Sequence, residues 1–161
     1  MSSNGLYIGI PNGIVLCIDK VTGLGLFQGR IYHRYQENAE QVSSFEELLR
    51  AMRELFDEIQ FPGRVSGTEV SLRRITRRAN SPEGKEIVMS DKQMLAKHGD
   101  IATYIIRVQQ RQNSTWQGRI TWVDEDKTVR FRSILELIRL IEEGIKSSEP
   151  ELTGEDQPSW D

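Results

Sequence analysis

The sequence predicts an α+β fold built from two β-β-β-α units, each with an antiparallel sheet and one long helix. Three observations predict it. An ungapped echo runs at a separation of 89 residues: Phe27-Gln28-Gly29-Arg30-Ile31 returns as Trp116-Gln117-Gly118-Arg119-Ile120, and nine of the thirty positions in 27–56 and 116–145 are identical. Both copies then reach Ser-x-x-Glu-Leu-x-Arg, at Ser44–Arg50 and again at Ser133–Arg139. Ahead of these helix starts, apolar residues alternate with polar ones, the period of a strand with one buried face.

The elements follow in order. Leu6–Ile10 reads as a short strand, and Ile14–Asp19 as the first strand of copy one. A turn at Thr22-Gly23 leads to Leu26–Tyr35, and a weaker third strand covers Glu40–Ser43. Ser44 and Glu47 have the spacing of a capping box, in which each side chain serves an otherwise unpaired backbone donor. Phe45, Leu48, Leu49, Met52, Leu55, Phe56 and Ile59 then form one apolar helical stripe, ended by Phe61-Pro62-Gly63. Residues 1–63 are thus the first unit.

Residues 64–100 form an inter-copy segment with short strands at Thr68–Ile75 and Lys85–Met89, a turn at Asn80–Gly84 and a short helix at Asp91–Lys97. The second unit, residues 101–146, repeats the first with strands Thr103–Arg111, Thr115–Val123 and Thr128–Arg132, an acidic turn at Asp124-Glu125-Asp126, and a helix from Ser133. Its stripe is Ile134, Leu137, Ile138, Ile141 and Ile145. Residues 147–161 hold five acidic side chains and no Lys or Arg, so the net charge of −3 divides into −5 on this tail and +2 on the rest. The expectation is a flexible acidic extension with Trp160 loose near its end. Neither unit has a generous core alone, so they join as one sheet or as packed layers.

Several classes of function find no support. Cys17 is the sole cysteine, which excludes an intrachain disulfide and a thiolate metal cluster, and its apolar run Ile14–Ile18 predicts a buried thiol. His33 and His98 lack metal-ligand spacing; His33 falls where copy two has Trp122 and reads as the occupant of a bulky aromatic slot. No GxSxG, GxGxxG or GxxxxGK[ST] segment is present. The expectation is a protein that is not an enzyme, with no metal, no cofactor and no specific small molecule. No apolar run is long enough to cross a bilayer and no basic-then-apolar leader opens the chain, so the expected location is cytoplasmic with no membrane partner.

Interaction candidates come from the differences between the copies. Strand parity puts Tyr104, Ile106 and Val108 on one face and Ile105, Arg107 and Gln109 on the other. Arg107, Arg111 and Arg119 then share the face opposite Ile120 and Trp122, while Arg130 and Arg132 point away from Val129 and Phe131. At an offset of 89 the copy-one counterparts of Arg107, Arg111, Arg130 and Arg132 are Ile18, Thr22, Gln41 and Ser43. Arg73, Arg74, Arg77 and Arg78 concentrate further charge between the copies. All nine are candidate interaction or anion-binding residues. Leu135 and Leu140 replace Glu46 and Ala51 of copy one and are protein-interface candidates, burial against the rest of the chain being the alternative. The paired Gln-Gly-Arg segments allow two readings, a glycine that relieves crowding or a recurrent ligand edge.

The second copy resembles an uncharacterised family of short proteins and modules from Firmicutes. The residues that carry the resemblance are Tyr104–Gln109, Gln112–Gly118 with its Trp-Gln-Gly strand, and Phe131–Ile138 with its Phe-Arg-Ser-x-x-Glu-Leu helix start. The resemblance implies no activity, cofactor or catalytic residue. The function expected is a non-enzymatic protein-interaction or regulatory module, with a protein partner or self-association as a dimer. The alternative is a nucleic-acid-binding accessory protein that uses the arginine-bearing sheet face, against which Asp124, Glu125 and Asp126 would repel a passing backbone.

Overall fold

A computed structural model describes residues 6–62, 64–65, 86–112, 115–147 and 160. The elements are β1 (Ile14–Gly23), β2 (Leu26–Tyr32), β3 (Glu40–Ser44), α1 (Phe45–Ile59), β4 (Arg64–Val65), α2 (Asp91–Leu95), β5 (Ala102–Gln112), β6 (Thr115–Trp122), a single 3-10 turn (Val123–Glu125), β7 (Lys127–Phe131) and α3 (Ile134–Ser147). The two β-β-β-α units form one antiparallel sheet in the order β3-β2-β1-β5-β6-β7, with β4 making a two-residue parallel contact beside Arg111 and Gln112 of β5.

The first strands of the two units meet at the centre. Val15 faces Ile105, Ile14 faces Ile106 and Leu16 faces Tyr104. A shift of 90 residues carries Val15 onto its own partner and exchanges the two flanking pairs, so a local two-fold axis passes through the Val15–Ile105 pair. Duplication has therefore produced a single sheet with both third strands at its edges.

Both Gln-Gly-Arg glycines sit at equivalent β-bulges. Asp19 is the extra residue between the pairs Ile18–Gly29 and Lys20–Gln28, and Gln109 between Val108–Gly118 and Gln110–Gln117. A bulge draws the partner strand close, leaving little room for a side chain. A Cβ on Gly29 would lie 3.0 Å from the Cys17 carbonyl oxygen, and one on Gly118 would collide with the carbonyl of Arg107. A second irregularity in β1, between Val21 and Gly23, gives copy one an additional residue. The structural counterparts of Arg107 and Arg111 are consequently Cys17 and Val21, one residue before the positions assigned by the uniform 89-residue offset.

The centre of the sheet is covered on both faces. On one, Leu16, Ile18, Phe27, Ile31, Tyr104, Ile106, Trp116 and Ile120 pack under α1 and α3. On the other, Val15, Cys17, Tyr32 and Ile105 pack against Ile8, Met89 and Met94. The expected strand Leu6–Ile10 is instead an irregular arm, seated by Ile8 and by Asn12, whose Nδ2 donates to the Val108 carbonyl at 3.0 Å. Residues 86–89 likewise form no strand; the Val88 and Met89 amides donate to the Arg34 carbonyl at 2.8 and 3.1 Å. The expected strand Thr68–Ile75 and turn Asn80–Gly84 lie outside the described residues.

Helix starts follow local chemistry. The Glu47 amide donates to Ser44 Oγ and the Glu136 amide to Ser133 Oγ, both at 3.1 Å. The reciprocal arm departs from a strict capping box in the same way twice: Glu47 Oε1 accepts from the Ser43 amide at 2.8 Å and Glu136 Oε1 from the Arg132 amide at 2.7 Å, each one residue before the cap. The complete box belongs to α2, where Ser90 and Gln93 bond each other's backbone. α1 ends on Gln60, which adopts φ 58° and donates its amide to Phe56, ahead of the expected Pro-Gly stop.

Candidate functional site

One row of residues crosses three strands in each unit, on the face away from α1 and α3. In copy one it is Cys17–Arg30–Gln41, and in copy two Arg107–Arg119–Arg130. Identical backbone placement has been given different chemistry.

In copy one the arginine is a clamp. Arg30 Nε and one terminal nitrogen grip both oxygens of Asp19 at 2.8 and 2.9 Å, the fork-to-fork arrangement that matches guanidinium to carboxylate. It also donates to the Tyr32 hydroxyl at 2.6 Å and to the His98 carbonyl at 2.9 Å. Asp19, the bulged residue, accepts the Asp100 amide at 3.1 Å, and the guanidinium holds its carboxyl below the usual carboxylate range. This network fastens the segment after α2 onto β1 and β2, so Arg30 is engaged rather than accessible.

In copy two the row divides. Arg107, expected on an accessible face, is 2% exposed. It donates to the carbonyls of Tyr7 at 2.8 Å and Ile8 at 3.2 Å and to Thr121 Oγ1 at 3.2 Å, with its guanidinium 4.4 Å from the centre of the Tyr7 ring. Burial, together with the neighbouring charge of Arg119, lowers its pKa. Arg107 is thus the anchor of the N-terminal arm. Arg111, at 3% exposure, was assigned the same face, but the bulge at Gln109 reverses strand parity and turns it toward α1. There it lies over the Phe56 ring and donates to the Pro62 carbonyl at 3.0 Å and to Asp57 at 2.9 Å.

Arg119 and Arg130 are exposed and directly opposite each other, and among the described residues neither guanidinium has a hydrogen-bond or ion-pair partner. Arg132 is exposed just beyond β7, and Leu135, in the first turn of α3, is 68% exposed. Arg119 and Arg130 form a charged surface at the β6–β7 corner with Arg132 at its end, whereas Leu135 belongs to α3, which covers the opposite face of the sheet. Leu140 is separated from that surface: at 3% exposure it belongs to the main core, and its carbonyl accepts from Trp160 Nε1 at 3.0 Å. Trp160 itself is 7% exposed and packed against Tyr104 and Trp122, which corrects the expectation of a loose aromatic. Arg73, Arg74, Arg77 and Arg78 lie outside the described residues.

His33 is buried as an aromatic-slot residue and its Nδ1 accepts the Tyr35 amide at 3.1 Å. Cys17 is fully buried, and desolvation pushes its thiol up from 9.0 to about 11 against the opposing influence of Arg30. Between those two values the unfolded chain loses the thiol proton and the folded chain keeps it, so stability is retained below the lower value and falls as pH rises toward the higher. Equilibrium denaturation across this window is expected to show a contribution from Cys17 of about 1.4 kcal/mol per pH unit that disappears in Cys17→Ala. Aromatic disulfide reagents at pH 8 should leave the folded thiol unmodified and label it fully in denaturant.

Among the described residues no cluster of three or more His, Cys, Asp or Glu side chains could hold a metal ion, and no helix is long and apolar enough to cross a membrane. Comparison of the chain with protein families, curated proteins and solved structures gives no match.

Proposed function

We propose that the protein is a non-enzymatic interaction module whose docking surface is the β6–β7 corner, and that its protein partner presents an acidic, extended segment there. The observation that carries this reading is the Arg119–Arg130 pair. Like charges directly across an antiparallel ladder destabilise it, by about 0.2–1 kcal/mol, and an anionic partner converts that repulsion into two charge-assisted contacts. At the equivalent place in copy one, the arginine faces Gln41 and is neutralised by Asp19. β7 adds a second element, since an outer strand offers backbone donors and acceptors to an incoming strand.

A nucleic-acid backbone is the second reading, favoured by the same exposed arginines. Asp124, Glu125 and Asp126 stand in the connection from β6 to β7, a position that suits discrete carboxylates better than a continuous polyanion. Titration of an extended Glu-Thr repeat peptide and of single-stranded DNA, each at several salt concentrations, tests the choice. The expected result is peptide binding that weakens by about tenfold or more in the Arg119→Gln/Arg130→Gln double variant, an effect of about 1.4 kcal/mol. DNA binding with a steep salt dependence that the same variant abolishes, with no peptide binding, would replace the protein reading. Binding of neither probe would overturn both.

A further inference from the structure

The second unit contains an aromatic slot that has no counterpart in the first. α3 carries Gly144 where α1 carries Leu55, and a Cβ at Gly144 would collide with the Tyr104 hydroxyl. Freed by that glycine, Tyr104 reaches the helix and donates to the Ile141 carbonyl at 3.1 Å. Beside it, the Trp160 ring lies 6.3 Å from Tyr104 at 22° and 5.4 Å from Trp122 at 52°. Trp122 occupies the position held by His33 in copy one; the imidazole there has its amide partner, whereas among the described residues the buried Trp122 Nε1 has none.

We propose that the slot formed by Tyr104, Trp122 and α3 is a binding site for an aromatic side chain, held from within the chain by Trp160 and exchangeable with an aromatic residue of a partner polypeptide. Trp160 fits the slot through its ring contacts and its bond to the Leu140 carbonyl, yet among the described residues the buried indole nitrogen of Trp122 finds no acceptor. A side chain that brings an oxygen acceptor next to its ring would meet that donor, since an unpaired buried donor is an uncompensated cost of the present arrangement. In sequence the seated side chain is separated from α3 by twelve residues, four of them acidic and none basic. The slot lies on the helix face and is independent of the arginine surface, so either proposal can fail without the other.

N-acetyltryptophanamide is a suitable probe, as it carries an indole and adjacent carbonyl acceptors. In the full chain, Trp160→Ala is expected to bind it saturably and about tenfold or more tightly than wild type, because the internal occupant no longer competes. The wild-type protein labelled with 5-fluorotryptophan supplies a readout that does not depend on the variant folding. Addition of the probe should move the Trp160 fluorine signal toward its solvent-exposed value and perturb Trp122, while Trp116, packed on Phe56 elsewhere in the core, stays fixed. A Trp160 signal unmoved at saturating probe would overturn exchange in the intact protein, as would a folded Trp160→Ala variant that fails to bind.

Discussion

Gly118→Ala lowers the free energy of unfolding by about 3 kcal/mol, at the upper end of what overpacking a tight site costs, whereas Gly29→Ala lowers it by about 1 kcal/mol. The two glycines occupy the same place in the repeated Gln-Gly-Arg motif and at the same kind of bulge, so sequence gives no ground for a difference. The distinction is geometric. The added methyl at Gly118 meets the backbone of Arg107 and Val108, which can retreat only by breaking the β5–β6 ladder. At Gly29 the nearest atoms are the Cys17 carbonyl oxygen at 3.0 Å and the Phe27 ring at 3.2 Å, and the ring can give by a few tenths of an ångström. Denaturant titration of the two variants should show a shift in midpoint several times larger for Gly118→Ala, at similar slope. Equal shifts would mean that the bulges are not differently packed.

Leu140→Asp is expected to lose about 4 kcal/mol or to fail to fold, because it buries a carboxylate without a partner. Leu135→Asp should stay within about 0.5 kcal/mol of wild type. Both leucines are interface candidates in the sequence because they replace Glu46 and Ala51 of copy one, but Leu140 is at 3% exposure and Leu135 at 68%. An aspartate in the first turn of a helix also meets the positive end of its dipole, which offsets the lost apolar contact. Sedimentation of folded Leu135→Asp beside wild type then reads self-association cleanly. A lower mass for the variant would mean that the first turn of α3 joins two copies.

The elements of the fold were legible because their signals are local. A serine followed three residues later by glutamate sets each long helix start, and the stripes Leu48–Met52–Leu55 and Leu137–Ile141 name the buried side. The covering of the second face was written in the sequence in a weaker form. Ile14–Ile18 is apolar at every position rather than at alternate ones, which is how a strand buried on both faces reads. Strand parity alone leaves the second face open, whereas the N-terminal arm covers it and buries Arg107. No sequence pattern marks an arginine whose acceptors are backbone carbonyls about a hundred residues away. Arg111 was lost for a different reason: the bulge that turns it inward is set by the close approach of Gly118 on the neighbouring strand. Trp160 could not be placed because the slot that receives it depends on Gly144, whose significance appears only when Tyr104 is set beneath it.

What the duplication preserved is the placement of an arginine at the middle of a three-strand row, and what it changed is the use of that arginine. Arg30 is an internal clamp with four hydrogen bonds, while Arg119 stands exposed opposite Arg130. The most direct test sets Arg30→Gln beside Arg119→Gln/Arg130→Gln and measures both the denaturation midpoint and the affinity for the acidic peptide. Arg30→Gln should lower stability by about 1 kcal/mol, as expected for a partly exposed charged hydrogen-bond network, with peptide affinity unchanged. The double variant should keep or slightly raise the midpoint, since a repulsive pair is removed, and lose about tenfold or more in affinity. A double variant that binds the peptide as wild type does, or an Arg30→Gln variant that loses binding to the same extent, would contradict the division of labour between the two copies.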